Sequence, residues 1–177
     1  MSGLTDRFID ELERVAGKAQ RVESPQQAVQ SLLEVLRARQ ARVVALADCA
    51  LARDLSLESA LRGAGYELVS GREIARADVG ISGADLAIAE TGSLVLGGRM
   101  GDWELVTALP PVHVALVRTS QIVATLAEGF ALCEQRLREA HQNFLFITGP
   151  SRTADIELTP VIGVHGPQEL LVFVLDI

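Results

Sequence analysis

Apolar residues at Leu4, Phe8, Leu12, Val15 and Ala19 recur at helical spacing, with Asp10, Glu13, Arg14 and Lys18 largely off that stripe, and predict an amphipathic first helix. A second helix has a clear start. Ser24 can cap it, Pro25 fits the first helical position and Gln27 completes a capping-box pattern. Its apolar face is Ala28, Leu32, Val35 and Leu36. The period then changes. Arg42–Ala47 is a continuous apolar run, β-branched at its start, as in a strand buried on both faces. A helix around Leu55–Arg62 ends at Gly63, and Tyr66–Val69 reads as a short strand. Strand, helix, strand in this order implies parallel pairing through a right-handed crossover.

The middle of the chain is rich in glycine. Asp85–Ala89 and Ser93–Leu96 read as extended pieces broken at Thr91-Gly92, and residues 97–101 as a mobile loop. Asp102 is placed to cap a short helix through Leu109, which Pro110-Pro111 stops. Val112–Val117 is a strand, and Ile122, Leu126, Phe130, Cys133 and Leu137 mark one face of a long helix. Phe144–Thr148 is a further strand, Thr153–Leu158 a helical turn or more, and Leu170–Leu175 the last strand. No repeat or linker divides the chain. The expectation is one α/β domain over residues 1–177, a mainly parallel sheet flanked by helices, with residues 1–40 as N-terminal helices.

Composition narrows this picture. Hydrophobic residues make up 49% of the 177 and aromatic residues only 4%, so the apolar content is mostly aliphatic and suits a parallel sheet under helices. A net charge of −7 argues against nucleic acid or an anionic membrane as the main partner. The two cysteines, Cys49 and Cys133, form no CxxC pair and have no histidine at metal-ligand spacing, so no metal site is expected. An iron–sulfur cluster takes about four thiolates, more than this chain alone supplies. The N-terminus lacks a basic region followed by an apolar run, and no apolar stretch approaches the length of a membrane span. Cytoplasmic location is the default expectation.

Two loops carry the candidate chemistry. In Ala89-Glu90-Thr91-Gly92-Ser93, a carboxylate follows an apolar strand, at the end where open α/β sheets place ligands. Glu90 there is a candidate base, nucleophile or hydrogen-bond acceptor, and Gly92 permits a sharp turn or close backbone approach. The second loop, Thr148-Gly149-Pro150-Ser151-Arg152-Thr153, reads as strand, tight turn and helix start, with Asp155 just beyond. Amide groups at a helix start, together with Ser151, Thr153 and Arg152, would suit a phosphate or carboxylate. The alternative is a simple N-cap with Arg152 in a local ion pair. His165, between Val164 and Gly166-Pro167, can titrate near neutral pH or meet an anion. His113 reads as packing and His141 as solvated. Trp103, beside the glycine-rich run and between Asp102 and Glu104, reads as a lid, a partner contact or a helix anchor.

Four blocks in order resemble one known family. They are Ala84–Leu96, Leu109-Pro110 ahead of His113, Ile147–Glu157, and Gly163–Pro167. Together they resemble the lactate utilisation protein C family, whose domain is called LUD, most strongly from about residue 78 to the end. The resemblance implies a fold like the NagB/RpiA/CoA-transferase group. It also implies a role in oxidising L-lactate to pyruvate beside two partner proteins that carry iron–sulfur clusters. This chain would be the cluster-free subunit, with no cofactor of its own. It would bind a small carboxylate or phosphate or organise the assembly. Ligand contacts would fall to Thr91, Gly92, Ser93, Gly149, Ser151, Arg152, Thr153, Asp155 and His165, and any catalytic role to Glu90. The alternative is a stand-alone CoA-transferase-like enzyme using Glu90 as nucleophile. Thr91-Gly92 departs from the Asn-Gly that follows the glutamate in that group.

Overall fold

The computed structural model describes residues 2–98, 101–140, 143–154, 160–162 and 166–177. Its frame is a six-stranded sheet, all parallel. The strands are β1 (Lys18–Val22), β2 (Val43–Leu46), β3 (Glu67–Val69), β4 (Val79–Gly83), β7 (Val112–Arg118) and β12 (Glu169–Leu175). Their order across the sheet is β1-β12-β7-β4-β2-β3. The central strands β4, β7 and β12 are buried on both faces, which is why their sequences run apolar without alternation. The expected mainly parallel α/β architecture is therefore the one found.

Helices α2 (Pro25–Ala38), α3 (Ala50–Asp54) and α4 (Leu57–Gly63) cover one face, where Leu32, Leu36, Leu57 and Leu61 meet Val44, Ile81, Val114 and Phe173. Ser24 caps α2 as its sequence implies, its hydroxyl accepting the Gln27 N–H at 3.2 Å while Gln27 accepts the Glu23 N–H at 2.8 Å. The other face carries α1 (Ser2–Arg14), α5 (Asp102–Ala108) and a four-stranded mixed sheet. That sheet, in the order β8-β5-β6-β9, consists of β5 (Leu86–Ile88), β6 (Ser93–Gly98), β8 (Ile122–Val123) and β9 (Asn143–Ile147). Helix α6 (Leu126–Ala140) packs on it through Cys133 and Leu126. A short antiparallel pair, β10 (Arg152–Ala154) and β11 (Pro160–Ile162), lies apart from both sheets.

Several expectations need correction. The first helix stops at Arg14, where Ala16 turns left-handed at φ 64°, and Ala19 lies on β1. Residues 1–40 are thus not all helical. Lys-Ala-Gln-Arg-Val carries almost no apolar signal because β1 is an edge strand, held by pairing to β12. Helix α3 and strand β4 were not expected, the latter because Gly80 and Gly83 weaken its strand signature. Gly97 and Gly98, expected in a mobile loop, are paired strand residues opposite Phe144 and Asn143, while Arg99 and Met100 lie outside the described residues. Asp102 does not cap α5; Gly101 holds the cap position and the Asp102 carboxylate accepts the Gly71 N–H at 2.7 Å. Ile122 belongs to β8, and the stripe continued from it onto α6 is only partly buried, since Phe130 and Leu137 are exposed. Thr153 and Ala154, where a helical turn through Leu158 was expected, are strand paired with β11, while residues 155–158 lie outside the described residues. His141, read as solvated, lies outside the described residues.

His113 is packed, as its sequence reading had it. It is completely buried on β7, and its Nε2 shares a 2.8 Å hydrogen bond with Ser82 Oγ on β4. Burial pushes its pKa from 6.5 down to about 4. Between those values the unfolded chain takes up a proton that the folded chain refuses. His113's share of stability is therefore intact above about pH 6.5 and is lost as pH falls toward 4. Over that window wild-type stability should fall more steeply than that of His113→Asn, by roughly 3 kcal/mol in all. Denaturant titrations at stepped pH measure this; parallel curves for the two proteins would show that His113 is not held neutral.

Candidate functional site

The chain leaves β2 through α3 and α4 toward β3 on one side, and leaves β4 toward β7 on the other. The loops after β2 and β4 therefore diverge, and a crevice opens between them at the carboxyl ends of the strands. A cleft of about 360 Å³ lies there, its walls including Asp48, Cys49, Ser82, Asp85, Trp103 and Arg118.

Each wall is held by a defined contact. Cys49 caps α3, its Sγ accepting the Ala52 N–H at 3.4 Å. Burial raises the thiol's pKa above its ordinary value, so it stays protonated and weakly nucleophilic at neutral pH. The Asp85 carboxylate accepts the Gly97 N–H at 2.7 Å and receives Arg136 Nη1 at 2.8 Å, tying β6 and α6 to the cleft. Gln121 braces the rim. Its Nε2 donates to the carbonyls of Ala84 and Asp85, and its Oε1 accepts the Arg118 N–H at 2.7 Å. The Arg118 side chain, 29% exposed, donates to Asp54 at 2.5 Å. Among the described residues, no group of three or more His, Cys, Asp or Glu is placed to hold a metal ion.

The two sequence-derived loops do meet, but away from this cleft. Ser93 Oγ lies 2.7 Å from Thr91 Oγ1 and 2.7 Å from Thr148 Oγ1, so the three hydroxyls satisfy one another. Both loops then turn onto α1 or the residue that follows it, Val15. Gly92, at φ 63°, lies so close to that helix that a Cβ would come within 2.3 Å of the Leu12 nitrogen. Gly149, at φ 79°, would put a Cβ 2.2 Å from the Val15 carbonyl oxygen. Here glycine admits a helix, where sequence reasoning had it admit a ligand.

Glu90 does not stand at the end of a parallel strand of the main sheet; β5 belongs to the small mixed sheet. The Glu90 carboxylate is exposed and accepts the Leu126 N–H at 2.7 Å, capping the start of α6. The backbone at Arg152 and Thr153 is paired strand, so no helix start presents amides to an anion there. Ser151 is half-buried, its N–H donating to the Pro167 carbonyl at 2.8 Å. Asp155 and His165 lie outside the described residues. The cleft residues Asp48, Ser82, Asp85, Arg118 and Gln121 were missed. The strand-end rule, had it been applied to Val43–Leu46 and Val112–Arg118, would have pointed to Asp48 and Arg118.

Fold and cleft together define an α/β protein with its candidate ligand site at a topological switch point. The LUD domain model matches residues 5–175, and the chain belongs to that family. Lactate utilization protein C of Geobacillus sp. (strain WCH70) is 37% identical over 97 residues, which is 53% of this chain and 40% of that protein. Lactate utilization protein C of Deinococcus radiodurans is 39% identical over 108 residues, 60% of this chain and 50% of that protein. The chain thus spans about half the length of the curated relatives it matches. A crystal structure of a DUF162 family protein from Deinococcus radiodurans has the same fold, with a TM-score of 0.70 over 99% of this chain and 98% of the other at 24% identity.

Gly92→Ala should destabilise the protein by at least about 2 kcal/mol, from left-handed strain plus displacement of α1. Glu90→Gln keeps an acceptor for Leu126 and should stay within about 1 kcal/mol of wild type. Urea titrations read both; an Ala at 92 without cost would mean that α1 does not sit on this turn.

Proposed function

We propose that the protein acts in L-lactate utilisation as a component without a redox cofactor of its own, holding a small carboxylate such as lactate or pyruvate in the switch-point cleft. The carrying observation is Arg118, a cleft-lining residue at the carboxyl end of β7 whose guanidinium is held by Asp54. A guanidinium has five N–H donors, so Arg118 can keep Asp54 and still offer donors to a second carboxylate. The names of the relatives support the metabolic setting.

Oxidising lactate to pyruvate removes two electrons and two protons. In this reading the electrons pass to partner proteins with iron–sulfur clusters, and this chain binds the acid or organises the assembly. Its own residues supply position and charge: Arg118 for the carboxylate, with Ser82 and Gln121 as nearby polar groups. Glu90 is not part of the cleft, and its carboxylate is engaged at α6, so no observation favours the CoA-transferase alternative.

Titration calorimetry with pyruvate and L-lactate tests the site. Arg118→Ala should remove a charge-assisted contact of about 1.5–3 kcal/mol, a loss of roughly 10- to 150-fold in affinity. Stability should barely change, because an exposed ion pair such as Arg118–Asp54 contributes at most about 1 kcal/mol. In the cell, a deletion strain should fail on L-lactate as sole carbon source but grow on glucose, rescued by wild type and not by Arg118→Ala. Unchanged binding in Arg118→Ala would remove the site, and normal growth of the deletion strain on lactate would remove the metabolic role.

A further inference from the structure

Trp103, the only tryptophan of the chain, stands in the first turn of α5 and lines the cleft. It is half-buried. Its indole fills the space that a side chain at position 98 would need: a Cβ on Gly98 would lie 2.9 Å from Nε1 and 3.4 Å from Cδ1 and Cε2. Gly98 is itself part of the cleft wall, so the edge of the indole borders the cleft beside bare backbone. The same side chain packs onto two buried apolar clusters, one with Leu96 of β6 and one with Val106 of α5. The core thus fixes the ring at the cleft's edge.

Much of the remaining wall is small. Ala47, Ala50, Gly83, Ala84, Gly97 and Gly98 carry little or no side chain, and the cleft they leave has about 360 Å³. Pockets for drug-sized molecules begin at roughly 300 Å³, so a three-carbon acid fills only part of this one. Arg118 and Trp103 also approach from opposite faces of the sheet. Arg118 reaches Asp54 at the end of α3, on the face covered by α2, α3 and α4, whereas α5 lies on the face of α1 and the small sheet. A molecule that meets both must cross the strand ends, with a carboxylate at one end and an apolar body at the other. Arg118 is the one cationic residue among the described lining residues, so a second carboxylate would lack a counter-charge.

We propose that the cleft takes a monocarboxylate with an apolar tail longer than the methyl group of lactate, and that Trp103 is the residue that selects for the tail. This rests on the reading of Arg118 as the carboxylate anchor and extends the ligand beyond it. The two residues divide the recognition: Arg118 supplies affinity common to every acid, and Trp103 supplies the difference between acids.

Titration calorimetry with L-lactate and L-2-hydroxy-4-methylpentanoate separates the two. The acids share the 2-hydroxy carboxylate, and the second has an isobutyl group in place of the methyl. It should bind at least about 10-fold more tightly, the gain expected when about two of its added carbons leave water. Trp103→Ala should bring the two affinities close together, whereas Arg118→Ala should weaken both acids alike. Trp103→Leu, which keeps an apolar side chain over the core clusters, replaces Trp103→Ala should that variant fail to fold. In the wild type, the longer acid should move the emission of Trp103 to shorter wavelength as water leaves the indole, and lactate should not. Equal affinity of the two acids, an unmoved emission, or a preference for the longer acid that survives in a folded Trp103 variant would overturn the role of Trp103 while leaving Arg118 its carboxylate. Failure of both acids to bind would overturn the carboxylate reading of the cleft, and this inference with it.

Discussion

All six strands of the main sheet run in one direction, so each connection between them must cross a face of the sheet. The path from β2 crosses to one side and the path from β4 to the other, and no loop can bridge the gap they leave. The cleft follows from that topology before any side chain is considered. What the sequence adds is its lining: a capping Cys49 after β2, Asp85 after β4 and Arg118 at the end of β7.

The second constraint is the seat of α1. Phe8 and Leu12 are completely buried, between the main sheet (Val117, Val172, Val174) and the small sheet (Ala87, Leu94, Leu96). A helix with its side chains in that core brings its backbone against the loops beside it, and only residues without a Cβ tolerate the approach. Gly92 and Gly149 supply this from two different loops, and the bond between Ser93 and Thr148 holds those loops together. The joint between the two sheets therefore depends on two glycines and three hydroxyls, in segments that resemble ligand loops when read as sequence.

Legibility followed the source of each signal. Helix α2 was readable because its cap, its proline and its stripe are all local. Strands β2, β7 and β12 were readable because burial on both faces demands continuous aliphatic runs. Strand β1 was not, since Lys18, Gln20 and Arg21 are exposed on an edge and only pairing with β12 makes them a strand. Strand β4 was hidden by glycines, and β10 was read as a helical turn because its partner β11 is not a neighbour in local pattern. The candidate site was legible in part. The rule that ligands sit at strand ends was applied to Glu90, on a strand that turned out to belong to the other sheet. Locating the cleft needs the strand order, which no short motif carries.

Charge in the cleft is arranged in pairs rather than as a field. Asp48 is matched by Arg53, Asp85 by Arg136 and Arg118 by Asp54. Each charge on the cleft wall is thus already engaged by an opposite charge beside it. Of the three arginines, only Arg118 is a lining residue; Arg53 and Arg136 reach the cleft through the aspartates they hold. The Asp85–Arg136 pair also fixes β6 through Gly97, so disturbing it would disturb the wall itself. The Arg118–Asp54 pair ties only the end of α3 to the sheet, and Asp54 is more exposed than its partner. Asp54 can turn to water when another carboxylate approaches Arg118, whereas Asp85 has backbone obligations that prevent it. The same chemistry, a carboxylate on a guanidinium, is thus structural on one wall of the cleft and exchangeable on the other.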